Sequence, residues 1–199
     1  MINILGIGPG DLNLMSIKSK EIIEKSNILI GGTRNLKPFK NLNKELFYIK
    51  SSMKEVLDFI NLNLNKEIAI LASGDPMLYG IGKYLSENLD CEINIVSGIS
   101  SMQYIFSKLK ISMNDIYISS THNKRPDFDF LLQHKKIVMV TDKEVGPYQI
   151  AREIEKRNLR RKMIIGENLS YEDEKITILN SNEVKDIEYN LNVVVILDE

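Results

Sequence analysis

Four glycine-containing segments, three of which also carry serine or threonine, have the residue types needed to hold a small polar ligand. Each follows a short apolar run that predicts a buried strand, and ligands of α/β sheets bind where strands end. Glycine allows a ligand to approach the backbone closely, and serine and threonine hydroxyls can donate and accept hydrogen bonds. The segments are GIGPGD at 6–11, ASGDPMLYGIG at 72–82, VSGISSMQ at 96–103 and VTDKEVGP at 140–147.

The first segment invites comparison with the dinucleotide-binding fingerprint, which needs three spaced glycines. If Gly6 and Gly8 are the first two, Asp11 stands where the third is required. Pro9 also lacks an amide hydrogen in the loop that would have to cradle a pyrophosphate. The segment therefore favours a less anionic ligand, and a tight strand-to-helix turn without a ligand is the alternative for this loop alone.

Alternating strands and helices must position these segments. Helices are predicted at 16–25, 54–64 and 78–89, with Ser16 as a plausible N-cap. The intervening runs are short and rich in Ile, Leu and Val, which is typical of strands buried on both faces. These runs predict a mostly parallel sheet with strands at 2–7, 27–30, 46–49, 67–72 and 92–96.

A second set of elements follows a helix at 101–109. The polar stretch Lys110 to Asp115 is the best place for a domain boundary, so we expect domains at 1–110 and 111–199. The second domain contains a helix at 148–158, and its last two strands have little helix between them, which predicts a mixed sheet. The predicted strands are 116–119, 136–141, 162–165, 175–179 and 192–197.

Composition excludes several classes of function. The 199 residues carry a formal net charge of -1 with acids and bases interleaved, so neither nucleic acid nor an anionic membrane is an expected partner. The single Cys91 excludes an internal disulfide framework and a cysteine-based zinc cage, and we expect no metal. No apolar run approaches the ~20 residues of a membrane span, and these features favour a cytoplasmic setting.

Taken together and in this order, the four segments resemble the tetrapyrrole (corrin and porphyrin) methyltransferase family. The resemblance covers nearly the whole chain. It implies an α/β fold of two α/β domains with a cofactor cleft between them, and methyl transfer from the cofactor S-adenosylmethionine.

Finer features resemble the branch of this family that methylates C5 of the corrinoid intermediate cobalt-precorrin-7 during cobalamin synthesis. They are GGTRNL at 31–36, Thr141-Asp142 with Pro147 and Ile150-Ala151 behind it, GENL at 166–169 and the acidic YEDE at 171–174. The chain leaves no room for the C15-methylating and decarboxylating domain that some relatives carry fused. The resemblance therefore implies a separate protein for that activity, and it also implies a homodimer.

The resemblance implies a set of cofactor-binding residues. Pro9 would shape one wall, Ser73, Gly74, Asp75 and Leu78 would line the cofactor site, and Ser100, Ser101, Thr141 and Leu169 would surround the remainder. Asp75 has an alternative role, because an aspartate there could cap the helix predicted after Pro76.

The substrate implied by the resemblance carries several carboxylates, for which arginine offers bidentate contacts. Arg34 is the first candidate, followed by Lys124 and Arg125, and solvated surface charge is the alternative for the last two. His122 stands where the branch shows Ser-Leu-His-Gly-Arg, but the surrounding string here is Ser120-Thr121-His122-Asn123-Lys124. His122 is the one catalytic candidate, as a proton acceptor or as a positioning residue.

Two other functions keep the same cofactor loops. One is an RNA-modifying methyltransferase of the same superfamily, which should show a basic or aromatic surface patch; the near-neutral charge and the absence of tryptophan argue against it. The other is a cofactor-binding module without catalysis.

Overall fold

The structure, a computed structural model, describes residues 1–50, 52–122 and 125–198. It divides into two compact units, Met1–Ser100 and Ser101–Glu199. Lys110 to Asp115, the boundary expected from polarity, therefore lies inside the second unit. The helix at 101–109 belongs to that unit because its buried residues Met102, Ile105 and Phe106 give it an apolar face, and it contacts two strands of the second sheet.

The first unit is a parallel sheet with short helices between its strands. The strand order is β3-β2-β4-β1-β5, and all four pairings are parallel. The predicted sheet is thus confirmed. Its elements in chain order are β1 (Ile2–Gly6), α1 (Ile17–Lys25), β2 (Ile28–Gly31), α2 (Thr33–Leu36), β3 (Glu45–Tyr48), α3 (Met53–Asn61), β4 (Ile68–Ala72), α4 (Gly82–Asn88) and β5 (Ile93–Val96).

Alternate residues of the central strands feed two apolar clusters. Ile4 and Ile70 belong to one cluster, and Leu5 and Leu71 belong to the other. Because both clusters are buried, β4 is apolar throughout and β1 is apolar except for the buried Asn3, which is why their sequences predict central strands. Register pairs Gly6 with Ala72, so the carboxyl ends of β1 and β4 lie side by side.

The second unit contains a mixed sheet, as expected from the sequence. The strand order is β6-β7-β10-β8-β9; β6 and β7 are parallel, and the other pairings are antiparallel. Here α5 contacts β7 and β10. The elements are α5 (Ser101–Leu109), β6 (Tyr117–Ser120), α6 (Phe128–Leu131), β7 (Lys136–Val140), α7 (Pro147–Glu155), β8 (Arg161–Glu167), β9 (Lys175–Asn180) and β10 (Asn192–Asp198).

The helix predicted at 78–89 begins later than expected, at Gly82. The preceding residues form a turn instead, because Tyr79 has a φ of 53° and the Gly82 amide donates to the Pro76 carbonyl oxygen at 2.8 Å. A side chain at Gly80 would lie 2.6 Å from that same carbonyl oxygen. The turn keeps the SGDP segment compact at the end of β4.

Candidate active site

Three loops of the first unit meet at the carboxyl ends of β4, β1 and β5 with backbone against backbone. The Gly74 amide donates to the Gly8 carbonyl oxygen at 2.7 Å, and both glycines have a positive φ, 66° and 83°. A Cβ on Gly98 would lie 2.1 Å from the Gly74 carbonyl oxygen and 2.8 Å from Gly6 Cα. The glycines therefore allow the loops to approach one another, and Pro9 lies buried beside Gly8.

Asp75 joins two of these loops. One of its carboxylate oxygens accepts the Met77 amide at 2.8 Å, and the other accepts the Gly98 amide at 3.1 Å. The bond to Met77 is local and corresponds to the capping role that the sequence left open for Asp75. The bond to Gly98 connects this loop to the segment that follows β5. Asp75 therefore shapes the loops of this edge. A direct bond between Asp75 and a cofactor stays a prediction. The cofactor contact of Leu78, which is half-buried, also stays a prediction.

The GGTRNL segment lies at the same edge of the sheet. Its residues Thr33–Leu36 form the one-turn helix α2, rather than the loop expected from sequence. Its Asn35 donates an amide hydrogen to the Leu71 carbonyl oxygen at 2.9 Å and accepts the Ser73 hydroxyl at 2.9 Å. Asn35 therefore ties α2 to the end of β4 and positions the Ser73 hydroxyl, while the neighbouring Arg34 side chain is exposed.

The serines after Gly98 differ in exposure. Ser100 is 4% exposed and is the last residue of the first unit, whereas Ser101 is half-buried and is the first residue of α5. Gly98 is held by Asp75, so the loop that leads to both serines is anchored at its start.

In the second unit, Thr141 and Asp142 follow β7. Asp142 accepts the amides of Glu144 and Val145 at 2.9 and 2.8 Å, which closes a turn before α7. Thr121 braces the turn, because its hydroxyl accepts the Asp142 amide at 2.9 Å and donates to the Val145 carbonyl oxygen at 3.0 Å. Thr141 itself is 5% exposed, and its hydroxyl donates to the amide oxygen of Asn192 at 2.7 Å.

Leu169 lies in a turn with two residues of positive φ, Asn168 at 45° and Ser170 at 66°. It is 4% exposed and packs on the glycine of β8, because a Cβ on Gly166 would lie 2.8 Å from a Leu169 methyl carbon. Glu174 holds this turn by accepting the Ser170 amide at 2.6 Å.

Two side chains of α5 reinforce Glu174. Lys108 lies 3.2 Å from its second carboxylate oxygen, and this contact with Glu174 raises the pKa of Lys108. Burial, followed by the bond to Glu174, raises the pKa of Tyr104. Burial alone would raise the pKa of Glu174, but the bonds from Ser170, Tyr104 and Lys108 outweigh it and lower that pKa.

The candidate substrate cations fall in different environments. Arg125 lines a cavity of about 790 Å³ in the second unit, bounded also by Thr121, Asp142 and Glu153. It is exposed and contacts the Glu153 carboxylate at 3.0 Å. Bonds from Arg157 and then Lys156 lower the pKa of Glu153 to about 2. Arg125 is therefore part of an ion-pair cluster, and Lys124 lies outside the described residues.

His122 is exposed, and its backbone amide donates to the Ser120 hydroxyl at 3.0 Å. Within 1–50, 52–122 and 125–198, no group of His, Cys, Asp and Glu side chains is arranged to hold a metal ion. No helix in the same ranges is long and apolar enough to cross a membrane.

Comparison with known proteins decides the family. A family model described as Tetrapyrrole (Corrin/Porphyrin) Methylases matches residues 1–185. The chain belongs to this methylase family. It is 39% identical to the cobalt-precorrin-7 C(5)-methyltransferase of Salmonella typhimurium, with all of both chains aligned. It is 36% identical to the probable cobalt-precorrin-7 C(5)-methyltransferase of Methanocaldococcus jannaschii, over 92% of this chain and 91% of that one.

Solved methylase structures share the fold. Uroporphyrin-III C-methyl transferase from Thermus thermophilus, complexed with S-adenyl homocysteine, superposes with a TM-score of 0.84 over 98% of this chain and 96% of that one, at 17% identity. The precorrin-6Y methylase of Archaeoglobus fulgidus gives a TM-score of 0.80 over 100% and 98%, at 24% identity. The parallel sheet and the mixed sheet are therefore those of tetrapyrrole methylases.

The residues at these loops fit the cofactor that the methylase family uses. The loops combine backbone groups and hydroxyls with closely packed glycines, and these neutral donors and acceptors suit adenosine joined to an amino acid. Sequence reasoning did not single out Asn35, Asn192 and Glu174, although Asn35 and Glu174 lie inside segments quoted for the resemblance. Nothing in the local sequence of Asn192 indicated its bond to Thr141, which stands 51 residues earlier.

Proposed function

We propose that this chain methylates C5 of cobalt-precorrin-7, with S-adenosylmethionine as the methyl donor, in cobalamin biosynthesis. One observation carries the proposal: the chain aligns over its full length with a C5-methyltransferase of equal extent at 39% identity. The glycine loops of the first unit support it because they suit an adenosine-containing ligand without phosphate groups better than a pyrophosphate.

The cofactor supplies a methyl group on a sulfonium sulfur, and the S–C bond breaks as the new C–C bond forms. Such an in-line displacement depends on holding donor and acceptor carbon in contact and aligned. In this proposal the chain's main tasks are binding and alignment. Pro9, Ser73, Gly74, Leu78 and Ser100 do this from the first unit, with Asp75 setting the shape of the loops; Ser101, Thr141 and Leu169 act from the second. His122 is the candidate proton acceptor.

Arg34 is the first candidate for binding a carboxylate of the substrate. Its exposed side chain lies next to Asn35, whose bonds fix α2 at the carboxyl edge of the first sheet. Arg125 is the second candidate for substrate recognition. It already contacts the Glu153 carboxylate, so it would have to leave that contact in order to bind a carboxylate of the substrate. Lys124 remains a sequence-based candidate.

The test is methyl transfer by the purified chain with S-[methyl-13C]adenosylmethionine. Cobalt-precorrin-7 and a panel of small RNAs are supplied separately, and the product is analysed by mass spectrometry and carbon NMR. We expect one labelled methyl group at C5 of the corrinoid and none on RNA. Label on RNA would establish the alternative methyltransferase, label at another ring carbon would refute the position, and cofactor binding without transfer to either would indicate a binding module.

The C15 methylation and decarboxylation belong in this proposal to a separate protein. The Sinorhizobium precorrin-6Y C(5,15)-methyltransferase [decarboxylating] supports this, because the match with this chain spans only 37% of that protein. We also propose a homodimer. Light scattering of the purified chain should give twice the mass of one chain, and its corrinoid product should retain the carboxylate that decarboxylation would remove.

A further inference from the structure

A chain of hydrogen bonds connects buried polar residues at one end of the second sheet. Thr141, Asn192 and Glu167 are 5%, 8% and 6% exposed. Thr141 follows β7, Asn192 begins β10 and Glu167 ends β8, and the antiparallel register pairs Asn192 with Glu167. Buried polar side chains that are all hydrogen-bonded to one another are conformationally restrained, so this network can fix the direction in which the Thr141 hydroxyl points.

The orientation of the Asn192 amide is set by its other bond. Its nitrogen donates to the Asn190 carbonyl oxygen at 2.8 Å, so the oxygen is the atom that faces Thr141. Glu167 fixes Asn190 in turn by accepting its backbone amide at 3.0 Å and its side-chain amide at 3.5 Å. Since an amide oxygen only accepts, the Thr141 hydroxyl must donate its single hydrogen to Asn192.

We propose that Asn192 is a positioning residue that makes Thr141 a hydrogen-bond acceptor toward an N–H group of the bound cofactor. This rests on the proposed function, in which Thr141 contacts S-adenosylmethionine. With its hydrogen committed to Asn192, the hydroxyl offers only lone pairs to a ligand. The cofactor has two N–H groups that can donate to it, the 6-amino group of adenine and the ammonium group of its amino-acid part; its ribose hydroxyls also donate, and both analogues retain them.

The variants are chosen to separate the hydroxyl from the amide. Thr141→Val removes the hydroxyl at nearly constant shape, and Asn192→Leu removes the amide; Asn192→Asp keeps an acceptor for Thr141 while losing the donor to Asn190. Asn3→Leu is a matched control, because Asn3 is also buried, at 3% exposed, but lies in β1 of the first unit. Binding of S-adenosylhomocysteine is measured by calorimetry, and unfolding by urea is measured for every variant.

We expect Thr141→Val to weaken S-adenosylhomocysteine binding about 5- to 10-fold when the adenine amino group is the donor, the range for one neutral hydrogen bond, and more than about tenfold when the ammonium group is the donor. Asn192→Leu should weaken it by a similar factor in the wild-type background and have no further effect on affinity when Thr141 is already valine. Asn192→Asp should bind more tightly than Asn192→Leu. Asn3→Leu should lose stability while keeping wild-type affinity.

Two cofactor analogues identify the donor. S-inosylhomocysteine lacks the 6-amino group, and the deaminated amino-acid analogue lacks the ammonium group. The analogue without the group that Thr141 contacts should bind wild-type protein more weakly, yet lose nothing more when Thr141 is replaced by valine. Equal losses from Thr141→Val with both analogues and with S-adenosylhomocysteine would overturn the proposal.

The remaining outcomes are also decisive. An Asn192→Leu effect that persists in the Thr141→Val background would show that Asn192 acts only on the fold, and unchanged affinity of Thr141→Val would remove Thr141 from the site. Failure of the wild-type chain to bind S-adenosylhomocysteine would refute the proposed function instead. Thr141→Ser, which keeps the hydroxyl, should restore most of the affinity lost in Thr141→Val.

Discussion

Replacing Gly98 with alanine should disturb both the stability and the cofactor binding of the first unit. The added methyl carbon would lie 2.1 Å from the Gly74 carbonyl oxygen, about 1.3 Å closer than the 3.4 Å at which ordinary contact begins. Its other close neighbours are also backbone atoms, those of Gly6. No side-chain rotation can relieve such a contact, so the ends of β1, β4 and β5 must move apart.

Overpacking of this kind costs about 1 to 3 kcal/mol, and the backbone nature of the contacts places Gly98→Ala near the upper value. Displacement of the three loops should also weaken S-adenosylhomocysteine binding about tenfold or more. Urea unfolding followed by circular dichroism measures the first effect, and isothermal titration calorimetry measures the second.

Gly32→Ala is the matched control, because a Cβ on Gly32 would meet no heavy atom within 4 Å. It precedes α2 in extended backbone, with φ of -64°, which alanine adopts without strain. Its free energy of unfolding should stay within about 0.5 kcal/mol of the wild type. If Gly98→Ala matched Gly32→Ala in both stability and affinity, close backbone packing of the three loops would not be what the site requires.

Three further substitutions test separate parts of the molecule. Arg34→Ala should weaken corrinoid binding about tenfold, or about 1.5 kcal/mol, with cofactor affinity unchanged; equal loss in the exposed control Lys37→Ala would assign the effect to general charge. Glu174→Ala should lower the free energy of unfolding by about 1 to 2 kcal/mol because it removes the acceptor of the Ser170 amide and the partner of Lys108, whereas Glu172→Ala, at an exposed position, should have little effect. The pKa of Glu153 is lowered from 4.5 to about 2, so the stability that its ion pairs contribute is complete above pH 4.5 and is lost as the pH falls toward 2. The Glu153→Gln variant should therefore lose less stability than the wild type over that interval. Identical stability curves for the two proteins would contradict a stabilising role for ionised Glu153.

The strands of the described residues were predictable because most are short, apolar runs between turn signals, and strands buried on both faces need no alternation to be recognised. The single-turn helices α2 and α6 were not predicted, since four residues are too few to show a helical period. The late start of α4 also escaped prediction. It depends on the turn before Gly82, in which Tyr79 has a positive φ and the Gly82 amide donates to the Pro76 carbonyl oxygen.

The boundary between the units illustrates a different limit. Polarity alone made 110–115 look like a linker, and Lys110 and Asp115 do have positive φ values, of 57° each. Which unit a helix joins is decided by the strands that its apolar face meets, and here those are β7 and β10. A pattern along the sequence shows that α5 has a buried face but carries no information about the sheet that covers it.

The glycines and hydroxyls of the candidate site were visible in the sequence, but the side chains that orient them were not. In both units an aspartate of the loop accepts the amide two residues ahead: Asp75 bonds Met77, and Asp142 bonds Glu144. These aspartates form turns, which is a common role for aspartate in loops. Their carboxylates therefore have a structural task that a motif alone cannot distinguish from ligand binding.

A second arrangement also occurs in both units, at the hydroxyl group that precedes each aspartate. Ser73 donates to Asn35, whose amide nitrogen bonds the Leu71 carbonyl oxygen, and Thr141 donates to Asn192, whose amide nitrogen bonds the Asn190 carbonyl oxygen. In both cases an asparagine anchored on the backbone takes the hydrogen of the hydroxyl. The two sheets differ in strand order and direction, so their shared fold class does not explain the recurrence. Each hydroxyl can still accept a hydrogen bond, so in each unit the oxygen is available to an N–H or O–H donor of a ligand.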